Sequence, residues 1–254
     1  MCLITFQWQP DADNKLILSA NRDEFLHRPA RPLQACEDAE GVYAGKDLSQ
    51  GGSWLGINKN GRFAALTNHR DMRSEPPKNP ISRGNLVLDF LTSSVSPLEY
   101  LQALENKSDL YAGYNLLVAD HQQLAYFSNK SGEPAHILAP GLYGLSNGLL
   151  DTPWPKVESA KQTLAGWLEN QAENQASLSR LLTSNIIADD ASLPDTGISL
   201  EMERLLSSQK IITPNYGTRC STGLTMSKHG IEIEEVSWLE NGKEDSYQQH
   251  TIKY

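Results

Sequence analysis

Cysteine is scarce in this 254-residue chain: Cys2, Cys36 and Cys220 are the three, at no spacing that suits a metal or a framework of bridges. An odd number without a secretory leader predicts free thiols in a reducing cytoplasm. Long apolar runs are missing too, and no stretch approaches the ~18 residues of a membrane-spanning segment. Basic charge is in deficit, with 22 Lys and Arg against 31 Asp and Glu and a formal net charge of −9. That argues against non-specific attraction to nucleic acid or to an anionic membrane. The six histidines are scattered, and H-E-x-x-H, C-x-x-C-H, a P-loop and G-x-G-x-x-G are absent. No metal site, covalent haem or nucleotide fingerprint is therefore expected, and no cofactor is required.

What is present suffices for a core. The hydrophobic fraction is 39%, and neither a linker nor a repeat divides the chain, so residues 1–254 read as one domain. Short apolar runs and period-2 alternation predict strands at 2–8, 15–21, 53–58 and 62–68, the last two joined by the Asn-Gly turn of "NKNG". "SRGNLVLDFL" (82–91) and "SPLEYLQALE" (96–105) read as helices, the second capped by Ser96 with Pro97 at its first position. A hairpin at 114–128 and a strand at 142–147 follow. Helical spacing returns from Trp154 to Gln171, and Leu178, Leu181 and Leu182 continue it in a second helix. A loop at 193–199, a short helix at 200–208 and three closing strands complete an α+β or layered sandwich pattern.

Seven of the ten arginines, Arg22, Arg28, Arg31, Arg62, Arg70, Arg73 and Arg83, lie in the first third of the chain. Between residues 22 and 83 ten basic side chains face eight acidic ones, so this third is slightly basic in an acidic protein. Within it, "LILSANRDEF" (16–25) ends a strand on Asn21, Arg22, Asp23 and Glu24, too polar to continue the strand into a core. On a regular strand Arg22 and Asp23 would point to opposite faces.

Cys2 follows the initiator methionine directly. Removal of Met1 would place an α-amine, of ordinary pKa about 7.7–8.0, beside a thiol of about 8.5. Such an amine can serve as the thiol's base. A retained methionine acylates that amine. The alternative is a small buried strand residue, the usual place of a free cysteine.

With "MCLI", "ANRDEFLHRPA", "GGSWLGINKNGRFAALTN", "YGLSNGLLDTPWPKV" and "YGTRCST", the chain resembles the NRDE family, whose eukaryotic members are the transport and Golgi organisation proteins. The likeness spans essentially the full length. More distantly, the layout is similar to the choloylglycine hydrolase and penicillin V acylase group of N-terminal-nucleophile hydrolases. That resemblance implies a four-layer αββα sandwich of two stacked antiparallel sheets. It also implies a catalytic set of Cys2, Arg22, Asp23, Asn68, Asn147 and Arg219. In chemical terms Asn147 and Asn68 can donate to an oxyanion, Arg22 favours thiolate and Asp23 can hold the amine.

The NRDE likeness implies a second class of function, intracellular binding or transfer of an amphipathic metabolite, haem first and acyl-coenzyme A or another lipid second. Both ligands join an apolar body to anionic groups. Asn21, Arg22, Arg31 and Asn68 are the polar candidates for such a ligand, with Trp54, Phe63 and Trp154 as apolar walls. His27 and His69 stand beside the polar motifs as candidate axial ligands, and Cys2 is a candidate pocket thiol. Two readings stay open at this point: a binding or transfer protein, and a Cys2-dependent hydrolase of a linear amide C–N bond.

Overall fold

In the computed structural model, described for residues 2–170 and 176–254, the chain forms two antiparallel sheets with helices outside them. The first strands are β1 (Cys2–Trp8), β2 (Asn14–Phe25), β3 (Ala30–Ala35), β4 (Val42–Asp47), β5 (Leu55–Asn58) and β6 (Arg62–Asn68). Helices α1 (Gly84–Thr92) and α2 (Pro97–Glu105) lead to β7 (Tyr114–Ala119), β8 (Leu124–Ser128), β9 (His136–Ile137) and β10 (Gly141–Leu145). After α3 (Pro155–Glu169) and α4 (Leu200–Leu205) come β11 (Tyr216–Ser227), β12 (Gly230–Trp238) and β13 (Glu244–Lys253). One sheet has the order β10-β1-β2-β11-β12-β13, the other β3-β4-β5-β6-β7-β8-β9.

Side-chain alternation explains why the sheets stack. Ile4, Phe6 and Trp8 of β1 and Leu16 and Leu18 of β2 meet Leu55, Ile57, Phe63, Ala65 and Leu117 of the other sheet in the central core. The odd positions face outward, Leu3 onto Val157 and Ala160 of α3, and Ile17 onto Leu164. On the far side Ala64, Leu66, Leu116 and Val118 pack against Leu86, Val87, Phe90 and Leu91 of α1 and Leu101 and Leu104 of α2. The layers are therefore helix, sheet, sheet, helix, the αββα sandwich that the resemblance implies and a case of the α+β layered pattern read from the sequence. The capping box at Ser96 and Glu99 starts α2 where the sequence places it.

Two expectations need correction, and two strands were not foreseen. The polar "NRDE" stretch does not end β2, which runs on to Phe25 with Asn21, Arg22 and Asp23 all buried. Flanked by β1 and β11, this backbone stays in the ladder, with Asn21 donating to the Leu182 and Gln209 carbonyls, Asp23 accepting from Thr218 and Arg22 pairing with half-buried Asp47. Leu178–Arg180 makes one 3-10 turn instead of a second helix; Leu178 and Leu181 cluster with Ile17 and Leu164, and Leu182 with Leu3 and Val157. Strands β3 and β4 have no counterpart in the sequence reading; β3 contributes only Leu33 to the core and is otherwise half exposed.

Candidate functional site

The register of β1 against β2 sets Cys2 directly beside Arg22, and alternation turns both toward the opposite sheet, in line with Ile4 and Ala20. A cleft of about 190 Å³ opens there, where the sheet ends separate. Cys2, Arg22, Asp23, Glu24 and Arg28 line one side; Asp47, Gly51, Ser53, Trp54, Asn68, Ser82, Arg83 and Gly84 line the other.

Arg22 is held from both directions. Its guanidinium carbon lies 4.5 Å from the Trp54 ring centroid, and Nη2 is 3.4 Å from Asp47 Oδ2. The same Asp47 oxygen accepts a 2.6 Å bond from Arg28 Nε, and its other oxygen accepts the N–H groups of Ser49 and Gln50. Burial works against the Asp47 charge, but the Arg28 bond and those two N–H groups outweigh it and hold the carboxyl below its ordinary range.

Burial pushes the Cys2 thiol up; Asp23 adds to that and Arg22 opposes it. The resting group is therefore a neutral thiol, 8% exposed, at the floor of the cleft. Cys220, beside Arg22 on its other flank, is buried against Glu235 and raised still further.

Asp23 turns the other way, as its odd position requires, although it still borders the cleft. Thr218 Oγ1 donates to its Oδ1 at 2.7 Å, and Tyr216 Oη donates to its main-chain oxygen at 3.0 Å. Burial raises the Asp23 carboxyl, and Lys156 of α3 is the chief opposing charge. Lys156 itself is 3% exposed, and burial lowers its amine to about 8 despite the pull of Asp23. Beyond it the buried pair Arg70–Glu203 closes at 2.8 Å, with Arg70 5.0 Å from the Trp154 ring.

The residues singled out in the sequence thus divide. Cys2, Arg22, Asp23, Trp54 and Asn68 share the cleft. The Asn68 side chain makes no hydrogen bond among the described residues, while its carbonyl accepts Asn147 Nδ2 at 2.8 Å. Asn147 is fully buried and does not line the cleft; it ties the sheets together behind Cys2, beside Ser146, which donates to the Cys2 carbonyl at 2.9 Å.

Asn21 faces the helical side, donating to the carbonyls of Leu182 and Gln209 at 2.8 Å each and accepting from Ser221. Its amide is committed to the fold. Arg219 falls at the register shift between Thr218 and Cys220, and that bulge turns it to the carbonyls of Phe25, Leu26 and Arg28, each at 3.0 Å. Arg31 is 46% exposed and pairs with Glu37. Trp154 packs on the α3 side with Leu3, and Phe63 lies in the central core. His27 and His69 are not among the cleft residues.

Reading the sequence missed Asp47, Lys156 and the placing of Arg28 and Arg83. For Asp47 the available signal was "DLSQGGSW", in which Gly51 and Gly52 take positive φ of 71° and 79°. A Cβ on Gly52 would come within 2.4 Å of the Gly84 carbonyl carbon, so this turn brings the start of α1 up to the cleft.

Comparison with known proteins places this arrangement in context. Among solved structures, a mutant of the conjugated bile acid hydrolase from Clostridium perfringens aligns over 100% of this chain and 97% of that one, at TM-score 0.48 and 12% identity. An N-acylethanolamine-hydrolyzing acid amidase ortholog from Caenorhabditis elegans covers 88% and 92%, at TM-score 0.49 and 11% identity. Both likenesses are too loose to transfer a residue role. Sequence relatives are much nearer. The Transport and Golgi organization protein 2 homolog of Bos taurus is 38% identical, and that of Homo sapiens 33%, each alignment covering 94% of both chains. The family profile described as Transport and Golgi organisation 2 matches residues 1–242, from Cys2 and the "NRDE" strand through β11 and β12, and the chain belongs to that family.

Proposed function

We propose that the cleft is the active site of a Cys2-dependent amidohydrolase acting on a small linear amide. The observation that carries this reading is the position of the Cys2 thiol, at the floor of a polar cleft beside Arg22 and across from Asn68. A thiol kept neutral by burial needs a base at the moment of attack. Once Met1 is removed, the α-amine of Cys2 is that base. The thiol proton passes to the amine as sulfur bonds to the amide carbon, and Arg22 steadies the developing thiolate. The Asn68 amide donates to the oxyanion of the tetrahedral intermediate. The C–N bond then breaks, the leaving amine taking the proton from the ammonium. Water, giving a proton back to the α-amine, attacks the thioester, and release of the acid restores the thiol. Asp23 favours the ammonium form between these steps, shared with the nearby Lys156 amine that competes for it.

A binding or transfer role for haem or acyl-coenzyme A at the same place is the second reading, favoured by the Arg22–Trp54 stack, which pairs a cation with a flat apolar face. It is less well supported by volume. About 190 Å³ is below the roughly 300–1,000 Å³ of sites for drug-sized ligands, so either molecule would lie across the mouth.

The test begins with intact-mass analysis of protein from its own host, where Met1 should be absent. Processed protein should then hydrolyse members of a short-chain N-acyl amide panel. Cys2→Ala should abolish turnover, and Asn68→Ala should lower kcat by about 10²–10³. Retained Met1, or full turnover by Cys2→Ala, ends the hydrolase reading; saturable haem or acyl-coenzyme A binding lost on Arg22→Ala would then favour the second.

A further inference from the structure

The charges around the cleft do not cancel. Arg22 and Arg28 share Asp47, and Arg28 Nε also stands 3.8 Å from Glu24 Oε2. Asp23 is countered by the buried Lys156. That leaves Arg83. Its Nη1 donates to the Gly113 carbonyl at 2.8 Å, which fixes the side chain, but it forms no ion pair among the described residues. It lines the cleft with Ser82, Ser53 and Gly84, just ahead of the first turn of α1. The positive-φ Gly52 turn holds this corner in place, with Ser53 N–H donating to Gly84 O at 3.1 Å.

We infer that Arg83 is the specificity-determining residue of the cleft and selects substrates carrying a carboxylate close to the scissile amide. The inference rests on the hydrolase reading for the word substrate, although the carboxylate site itself does not depend on turnover. One unmatched guanidinium, its Nε and Nη2 not engaged with any carboxylate, presents a planar fork suited to a carboxylate. With the terminal amine in the neutral form that a base requires, a single excess positive charge matches a monoanion. A dianionic phosphate would leave excess negative charge beside Glu24 and Asp47. The volume of about 190 Å³ limits the molecule to a short chain. Arg83 is also partly withdrawn from water: burial lowers its guanidinium from the ordinary arginine value, with Glu24 opposing and Arg28 adding. Such a cation gains more from a matched anion than an exposed one does.

The experiment uses two pairs of probes that differ only in charge. N-butyrylglycine and its neutral glycinamide place the carboxylate on the amine side of the amide; N-butylglutaramic acid and its neutral primary amide place it on the acyl side. Binding is measured calorimetrically on Cys2→Ala protein, which cannot turn them over, and hydrolysis on Met1-processed wild type. In at least one pair the acid should bind about tenfold or more tightly than its neutral partner. Arg83→Gln should reduce that ratio to below about threefold, and Arg83→Lys should restore part of it. The ratio cancels any general loss from disturbing the Gly113 bond. Equal affinity for acid and neutral partner in both pairs overturns the inference, as does an unchanged ratio in folded Arg83→Gln. An Arg83-dependent preference without turnover leaves the carboxylate site standing and refutes only the hydrolase reading.

Discussion

Lys156→Met removes a buried amine from beneath the "NRDE" strand, and its effect should depend on alkaline pH. In the folded protein burial lowers this amine from 10.5 to about 8. At 1.36 kcal/mol per pK unit, that gap corresponds to about 3 kcal/mol of stability. Below pH 8 the folded state carries the charge out of water, and the penalty is present in full. Between pH 8 and 10.5 the unfolded chain holds the extra proton, so wild-type stability rises relative to a chain lacking this lysine. Above 10.5 the penalty is gone. Methionine keeps most of the side-chain length, so little cavity term enters. Asp23 loses its opposing charge in the variant, which makes the gain at neutral pH smaller than the full penalty. The raised thiol of Cys220 titrates in both proteins and cancels in the difference, whereas Cys2 is coupled to Lys156 and is therefore replaced by Ala in both backgrounds. Urea unfolding at half-unit steps from pH 7 to 10.5 should show the stability of Lys156→Met minus that of its Lys156 parent falling by up to about 3 kcal/mol. A difference that stays constant across the window would refute the argument.

Asn21→Ala should destabilise by roughly 2–4 kcal/mol, because it leaves the Leu182 and Gln209 carbonyls without their donor and the Ser221 O–H without its acceptor; an unfolding free energy within about 0.5 kcal/mol of wild type would show that the "NRDE" asparagine does not staple this loop to the sheet. Iodoacetamide at pH 7.5 should label half-buried Cys36 well before Cys220, whose thiol is buried and raised by its surroundings; peptide mapping that finds Cys220 modified first in folded protein would contradict the burial assigned to it.

Much of the architecture is carried by local pattern. Alternation in "CLITFQW" and "LILSA" sets which residues face the core, the Asn-Gly pair closes β5 on β6, and Ser96 with Pro97 starts α2. Each is decided by neighbours within a few residues, so the sequence alone yields it. Cys2 and Arg22 could be singled out by chemistry, and adjacency alone predicts that Arg22 and Asp23 point to opposite faces, as they do. What the chain could not display was the destination of each polar side chain. Arg219 looks like a site residue until the bulge at Thr218 and Cys220 turns it to the 25–28 carbonyls. Asn21 looks like a ligand contact until the 182 and 209 carbonyls arrive from more than 150 positions away. Lys156 falls near the end of the "YGLSNGLLDTPWPKV" stretch with no sign of its role, and Arg83 lies outside every motif quoted for the resemblance; one becomes a buried counter-charge to Asp23 and the other a cation in the cleft without an ion pair among the described residues, because packing of the layers sets their surroundings. Strand pattern and candidate chemistry are short-range properties, whereas partner, burial and charge balance depend on long-range contacts, and those decide which candidates form the site.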